Sequence, residues 1–220
     1  MKTSVNIASL VERKEQLINT IKSLVDQVDV VNVCLNNYLD CPFEHPKVNY
    51  FYSDNVFGDG GKFLFLRDFE GYYFTCDDDI IYPPTYIEDT KKQVDIYGVV
   101  SYHGRTFLKF PIESYYKSPA VRNRCLSKWE FTEPVQIAGT GVMAMRTDKF
   151  KPPFSFLERP NMSDIWISCY AKKQDVKIWG LKHSENYFKY QEVPNTIYED
   201  KVDNCDFETE IVNKYFNISK

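Results

Sequence analysis

Residues 72–84 read YYFTCDDDIIYPP, with three adjacent aspartates directly after a run of apolar and aromatic residues. Neighbouring carboxylates repel one another, and each costs free energy if buried without a partner. The arrangement therefore calls for water, a cation or a bound metal beside it. In an extended strand residues i and i+2 point the same way, which places Asp77 and Asp79 on one face and Asp78 on the other. Two hard oxygen donors on one face suit Mg²⁺ or Mn²⁺, ions that complete their shell with water and diphosphate oxygens. The competing reading is a solvated acidic turn.

A phosphohydrolase with a strand-end aspartate nucleophile would carry D-x-D-x-T or D-x-D-x-V near the start of the chain. Here Ile81 stands two residues past Asp79, and three candidate strands come first.

The elements around the aspartates alternate between strand and helix. SVNIASL reads as a strand, and Leu17, Ile18, Ile21, Leu24 and Val25 then recur at helical spacing. Ser9 followed by Glu12 has the form of a capping box, which predicts a helix start near residues 10–12. VDVVNVCL, VNYFY and YYFTC are further strands, a glycine-rich turn at Gly58, Gly60 and Gly61 leads into a short apolar helix, and PTYIEDTKKQVD is helical. Residues 104–134 carry no clear period. VQIAGTGVMAMR reads as one strand interrupted by glycines, NMSDIWISCYAKKQ as a helix, VKIWGLKH as a final strand and FETEIVNKYFNIS as a helix. This order predicts an α/β fold, a mostly parallel open sheet flanked by helices, with ligands beyond the carboxyl ends of the strands. The aspartates lie at such an end.

Composition narrows the classes. Of 220 residues 43% are hydrophobic and 16% aromatic, enough for a sizeable core, which excludes a disordered chain. The net charge of -4, from 27 basic and 31 acidic residues without a long basic run, argues against a nucleic-acid partner. The six cysteines form no C-x-x-C pair and are expected as reduced thiols in a cytoplasmic protein. No stretch approaches the length of a membrane span, and the amino-terminal residues break into charge too early for a signal peptide, so the sequons at Asn161 and Asn217 are expected to be incidental. The sequence specifies no oligomeric state.

With strand, helix, two strands, a glycine-lysine segment and strand-end aspartates in this order, the chain resembles the GT-A glycosyltransferases, family 2-like inverting enzymes in particular. A second likeness, to the amino-terminal glycosyltransferase domain of a chlorovirus protein, has no motif behind it. The family resemblance implies one GT-A domain over 1–220, with a Rossmann-like nucleotide-sugar half at 1–102 and an acceptor half at 103–220. It implies that Asp77 and Asp79 hold Mn²⁺ or Mg²⁺, with Asp78 on the donor side. It places the nucleoside at Ala8, Ser9, Leu10 and Arg13, although SLVER departs from the usual P-x-Y-N turn. Lys62 falls near the nucleotide, Gly139, Thr140 and Gly141 along the donor sugar, and His183 as a further metal or diphosphate ligand.

Asp164 occupies the catalytic-base position in NMSDIWISCYAKKQDVKIWG, where Ser163 stands for the commoner glutamate; Asn161 and Asp164 also read as a helix cap. The implied reaction moves a hexose from a nucleotide sugar, UDP-linked by default, to a hydroxyl of a glycan or other acceptor. A catalytically silent nucleotide-sugar or carbohydrate-binding module on the same fold is the alternative. Tyr115, Tyr116, Trp129, Phe131, Trp166 and Trp179 are either core or candidates to stack on sugars. His103 ends a strand without an implied role.

Overall fold

The computed structural model describes residues 1–194 and 201–217. Eight strands form the main sheet: β1 (Lys2–Leu10), β2 (Val30–Asn36), β3 (Val48–Ser53), β4 (Gly71–Cys76), β6 (Val99–Ser101), β9 (Glu133–Val135), β11 (Val142–Arg146) and β12 (Ile178–Gly180). Their order is β3-β2-β1-β4-β11-β6-β12-β9. The pairs β3–β2, β2–β1, β1–β4 and β6–β12 are parallel. The strand β11 runs antiparallel to both β4 and β6, and β9 antiparallel to β12. Among the described residues there are also two small sheets: β10 (Ile137–Ala138) with β7 (Gly104–Phe107) and β8 (Ala120–Asn123), and β5 (Ile80–Ile81) with β13 (Lys189–Tyr190).

Strands buried on both faces need apolar residues at nearly every position, and all six residues of β4 are buried. Alternate residues go to opposite layers. Tyr72 and Phe74 join Val142 and Ala144 under α1 (Lys14–Leu24) and α2 (Tyr86–Tyr97), which contribute Leu17, Ile21, Leu24, Ile87 and Val94. Tyr73 joins Met143 and Met145 on the other face, against Ile167 and Ala171 of α3 (Ser163–Lys173). The last helix, α4 (Asp206–Phe216), packs Ile211 and Val212 against Ile165, Trp166 and Cys169 of α3.

The main sheet and its helices match the expected α/β architecture; several boundaries differ. No capping box forms, because β1 continues through Leu10 and a 3-10 turn at Val11–Arg13 precedes α1. The Ser9 hydroxyl instead meets the Leu10 carbonyl and the Tyr38 hydroxyl at 3.3 and 3.1 Å. The glycine-rich turn is itself a 3-10 segment, Gly58–Phe63, with turns rather than a helix after it. The stretch without period holds β7, β8 and β9, strands of three or four residues. VQIAGTGVMAMR is not one strand: β9 and β10 lie in different sheets, and Gly139–Gly141 carries the chain from β10 back to β11. Among the described residues no helix is long and apolar enough to cross a membrane.

Candidate functional site

The carboxyl ends of β4 and β6 open on a cleft of about 980 Å³, lined among others by Arg13, Lys62, Asp77, Asp79, His103 and Asp164. The aspartates are not in extended strand as expected. The strand β4 ends at Cys76 and the chain turns at Asp78 and Asp79, held by the Thr20 hydroxyl, which donates to the Asp78 and Ile80 carbonyls at 2.9 and 2.8 Å. The turn still separates the three side chains as charge repulsion favours. Asp77 and Asp79 face the cleft, while Asp78 is buried behind them against Arg13, whose Nη1 lies 3.2 Å from Asp78 and 3.8 Å from Asp79.

Lys62 is buried at the end of the glycine-rich segment, and its ammonium donates to Asp77 Oδ1. Burial disfavours that charge, but Asp77 and Asp59 outweigh it and leave the Lys62 pKa raised. Gly141 lies opposite Asp77, accepting its amide at 3.1 Å; a Cβ at Gly141 would fall 1.8 Å from Asp77 Oδ2, so only glycine leaves room for the carboxylate. Asp59 reaches across to α3, where it accepts from the Ser163 hydroxyl and, at 3.1 Å, from the Ser163 amide. Burial pushes the Asp59 carboxyl up, against the pull of Lys62 and Ser163.

On the opposite wall Asp164 occupies the first turn of α3. Its Oδ1 accepts from the Thr140 amide at 2.7 Å and the Thr140 hydroxyl at 2.6 Å, and Oδ2 has no hydrogen bond among the described residues. The residue before α3 is Met162, with no side-chain cap, so the expected Asn161–Asp164 cap does not form; Asn161 Oδ1 faces the Asp59 amide at 3.3 Å. His103 lines the same wall. Burial lowers its pKa, with Asp164 opposing, which keeps the imidazole neutral near pH 7.

The cleft thus gathers Arg13, Lys62, Asp77, Asp79, Gly139, Thr140, Gly141 and Asp164 from the expected set. Ala8, Ser9 and Leu10 end β1 close by but are not among its lining residues. His183 is not brought to the cleft lining. It lies beyond β12 in a bridge to Trp129, buried and outside the cleft lining, with Nδ1 3.2 Å from the Ser184 carbonyl and Nε2 3.2 Å from Asn123 Oδ1. A strand end in the sequence is a site only where the chain continues into the crevice, and here it turns away. His183→Gln is therefore expected to leave any Mn²⁺-dependent stabilisation by UDP unchanged in a thermal melt; loss of that dependence would return His183 to the metal site.

Of the aromatic candidates, Tyr115 and Tyr116 line the cleft, Trp166 is core, Trp179 packs on Tyr97 at 4.7 Å, and Trp129 and Phe131 are outside the cleft lining. His103, Arg105 and Arg124 were not anticipated; the only signal was His103 at a strand end.

Burial, reinforced by Asp77 and Asp78, pushes the Asp79 carboxyl up to about 7 against Arg13 and Lys62. An unfolded aspartate titrates near pH 4. Between about pH 4 and 7 the folded protein thus binds the proton more tightly, so the contribution of Asp79 to stability falls as pH rises through that window and levels off above it. Urea denaturation from pH 4.5 to 8 should show the stability advantage of Asp79→Asn over the wild type growing up to about pH 7 and then flattening. A pH-independent difference would refute this.

The donor chemistry of Asp77 and Asp79 fits a hard divalent cation that takes its remaining ligands from phosphate and water, since the excess of carboxylate already raises Asp79. Among the described residues no group of three His, Cys, Asp or Glu is arranged to hold a metal by itself.

No protein-family model matches the chain, and neither does any curated protein sequence. Solved structures do. TarS 1–349 from S. aureus matches with a TM-score of 0.52 at 14% identity, over 99% of this chain and 71% of that one. The same TarS 1–349 in complex with UDP-GlcNAc gives 0.53 at 13% identity, over 99% and 72%. The 4-diphosphocytidyl-2C-methyl-D-erythritol synthase from Anaerococcus prevotii gives 0.50 at 12% identity, over 99% and 96%. The fold is GT-A-like. These structures lend no support to the chlorovirus likeness.

Proposed function

We propose that the protein is a metal-dependent inverting glycosyltransferase that moves a hexose from a nucleotide sugar, UDP-linked, to a hydroxyl of a glycan or other acceptor. The observation that carries this reading is that Asp77, Asp79 and Asp164 line one cleft at the carboxyl ends of the strands. The fold it shares with a protein crystallised with UDP-GlcNAc supports the choice of donor. Asp77 and Asp79 would hold Mn²⁺ or Mg²⁺, which when bound offsets negative charge on the leaving diphosphate.

The chain's own residues do the rest. Lys62 holds Asp77 in place, and Arg13 holds Asp78 and Asp79. Gly139, Thr140 and Gly141 bring the backbone close to the donor sugar. Thr140 fixes one Asp164 oxygen, and the free Oδ2 takes the proton from the acceptor hydroxyl as that oxygen attacks the anomeric carbon from the face opposite the leaving group. A single displacement inverts the configuration.

Thermal melts with UDP, GDP, dTDP and their sugars, each with and without Mn²⁺, test this. A ligand that binds only the native state at a hundredfold its Kd adds about 2.7 kcal/mol, and UDP or a UDP-sugar is expected to do so only with the metal. No shift with any of them would overturn the reading, and binding without metal-dependent donor hydrolysis or transfer would favour a silent binding module.

A further inference from the structure

The wall of the cleft beyond Asp164 is basic, in a protein whose net charge is -4. Arg105 on β7 and Arg122 on β8 stand directly opposite each other across an antiparallel pair. Like charges in that relation destabilise a sheet. Arg124 follows two residues later, just past the end of β8, and all three line the cleft.

The side-chain hydrogen bond of Arg105 goes to a neutral acceptor. Arg105 Nη1 donates to the Tyr115 carbonyl at 2.7 Å, and Arg122 Nη2 to the Tyr116 and Ser118 carbonyls at 2.9 and 3.3 Å. The Arg105 guanidinium also lies over the Tyr115 and Tyr116 rings, 4.3 and 5.6 Å from their centroids, a stacking that fixes the plane of its fork. Among the described residues neither Arg105 nor Arg124 makes an ion pair, and the Arg124 side chain has no hydrogen bond. At Arg105 and Arg124 positive charge is held at the cleft without a carboxylate, an arrangement suited to an anionic group.

We propose that Arg105 and Arg124, with Arg122 beside them, bind a phosphate or carboxylate carried by the acceptor, so that the acceptor is an anionic hydroxyl compound. The acceptor is the source because Arg105 lies on the Asp164 side: it stacks on Tyr115, which shares a cluster with Ile165 and Trp166 of α3, the helix that carries Asp164, whereas the cations paired with the aspartate turn are Lys62 and Arg13. Glu208, which also lines the cleft, is paired with Lys201 at 3.2 Å. The proposal rests on the glycosyltransferase reading for the word acceptor, but not for the anion site.

NMR titrations of the full chain with glucose 6-phosphate, glucuronate and methyl glucoside, each with and without UDP plus Mn²⁺, test it. The two anionic sugars are expected to bind at least tenfold more tightly than methyl glucoside, and Arg105→Gln and Arg124→Gln each to remove most of that preference while UDP affinity stays within twofold. Arg124 is exposed, so its variant remains informative if Arg105→Gln fails to fold. Equal affinity for charged and neutral sugars, or no binding of any of them, overturns the proposal. Loss of UDP binding in the variants with the sugar preference intact also overturns it, assigning the arginines to the donor diphosphate. A wild type that ignores UDP yet keeps an arginine-dependent preference for the anionic sugars would retain the anion site and remove the nucleotide-sugar reading.

Discussion

Asp164→Asn is expected to lower glycosyl transfer by about 10²-fold or more, the scale of losing a general base, while UDP binding and melting temperature hardly change. Asparagine keeps the Oδ1 acceptor that meets the Thr140 amide and hydroxyl at 2.7 and 2.6 Å, so the link between the β10–β11 connection and α3 survives. What disappears is the second oxygen, the one free to take a proton. The variant should bind Mn²⁺ and UDP as the wild type does, and its residual product should have the same anomeric configuration by NMR. Near-normal transfer would reduce Asp164 to a tether for Thr140. Retained configuration in the wild-type product would overturn the single displacement itself.

The second large effect is on stability. Lys62→Met fills the same volume without a charge and leaves Asp77 beside Asp79 with no ammonium. Breaking a buried pair costs roughly 3–5 kcal/mol. The Asp77 side chain is 40% exposed, so solvent screening puts the expected loss near the lower end, about 3 kcal/mol. In a chain of this size that is a fall in Tm of roughly 6–12 °C. Lys62 is one of the two cations restraining Asp79, so the window over which Asp79 contributes to pH-dependent stability should also extend upward. A change in Tm of only a degree or two would mean that water replaces the ammonium at little cost.

The side of this cleft that carries Asp77, Asp79 and Lys62 was largely legible in the sequence, and the side that carries Arg105, Arg122 and Arg124 was not. Asp77, Asp79 and Lys62 announce themselves because charge follows directly on buried strands or a glycine turn, which is costly unless it serves a site. Their facing was anticipated for the wrong reason: a turn pinned by Thr20, rather than strand alternation, separates Asp78 from its neighbours. Asp164 was legible, but its partner was not, since Thr140 meets it only through the packing of α3 on the sheet. Arg105, Arg122 and Arg124 lie on strands of four residues or just past them, too short to establish a period, in a stretch whose aromatic residues are divided between core and cleft. The position of His183 outside the cleft lining was not legible, because sequence shows where a strand ends and not which way the chain leaves it.

The reversed strand β11 has a consequence for how the protein is made. Among the described residues it is the only partner of β4 on that side, and β6 joins the sheet only through β11 and β12. A nascent chain that has emerged as far as Ser101 therefore carries β4, Gly71–Cys76, as an open edge whose six residues are all buried in the finished protein. Such an edge is a template for pairing with another chain. The aspartate turn also has to wait, because the Asp77 amide bonds to the Gly141 carbonyl at 3.1 Å. Residues 1–101 thus cannot complete their sheet ahead of the residues synthesised after them, and the interval before β11 arrives is the one in which a ribosome-associated chaperone would have most to protect.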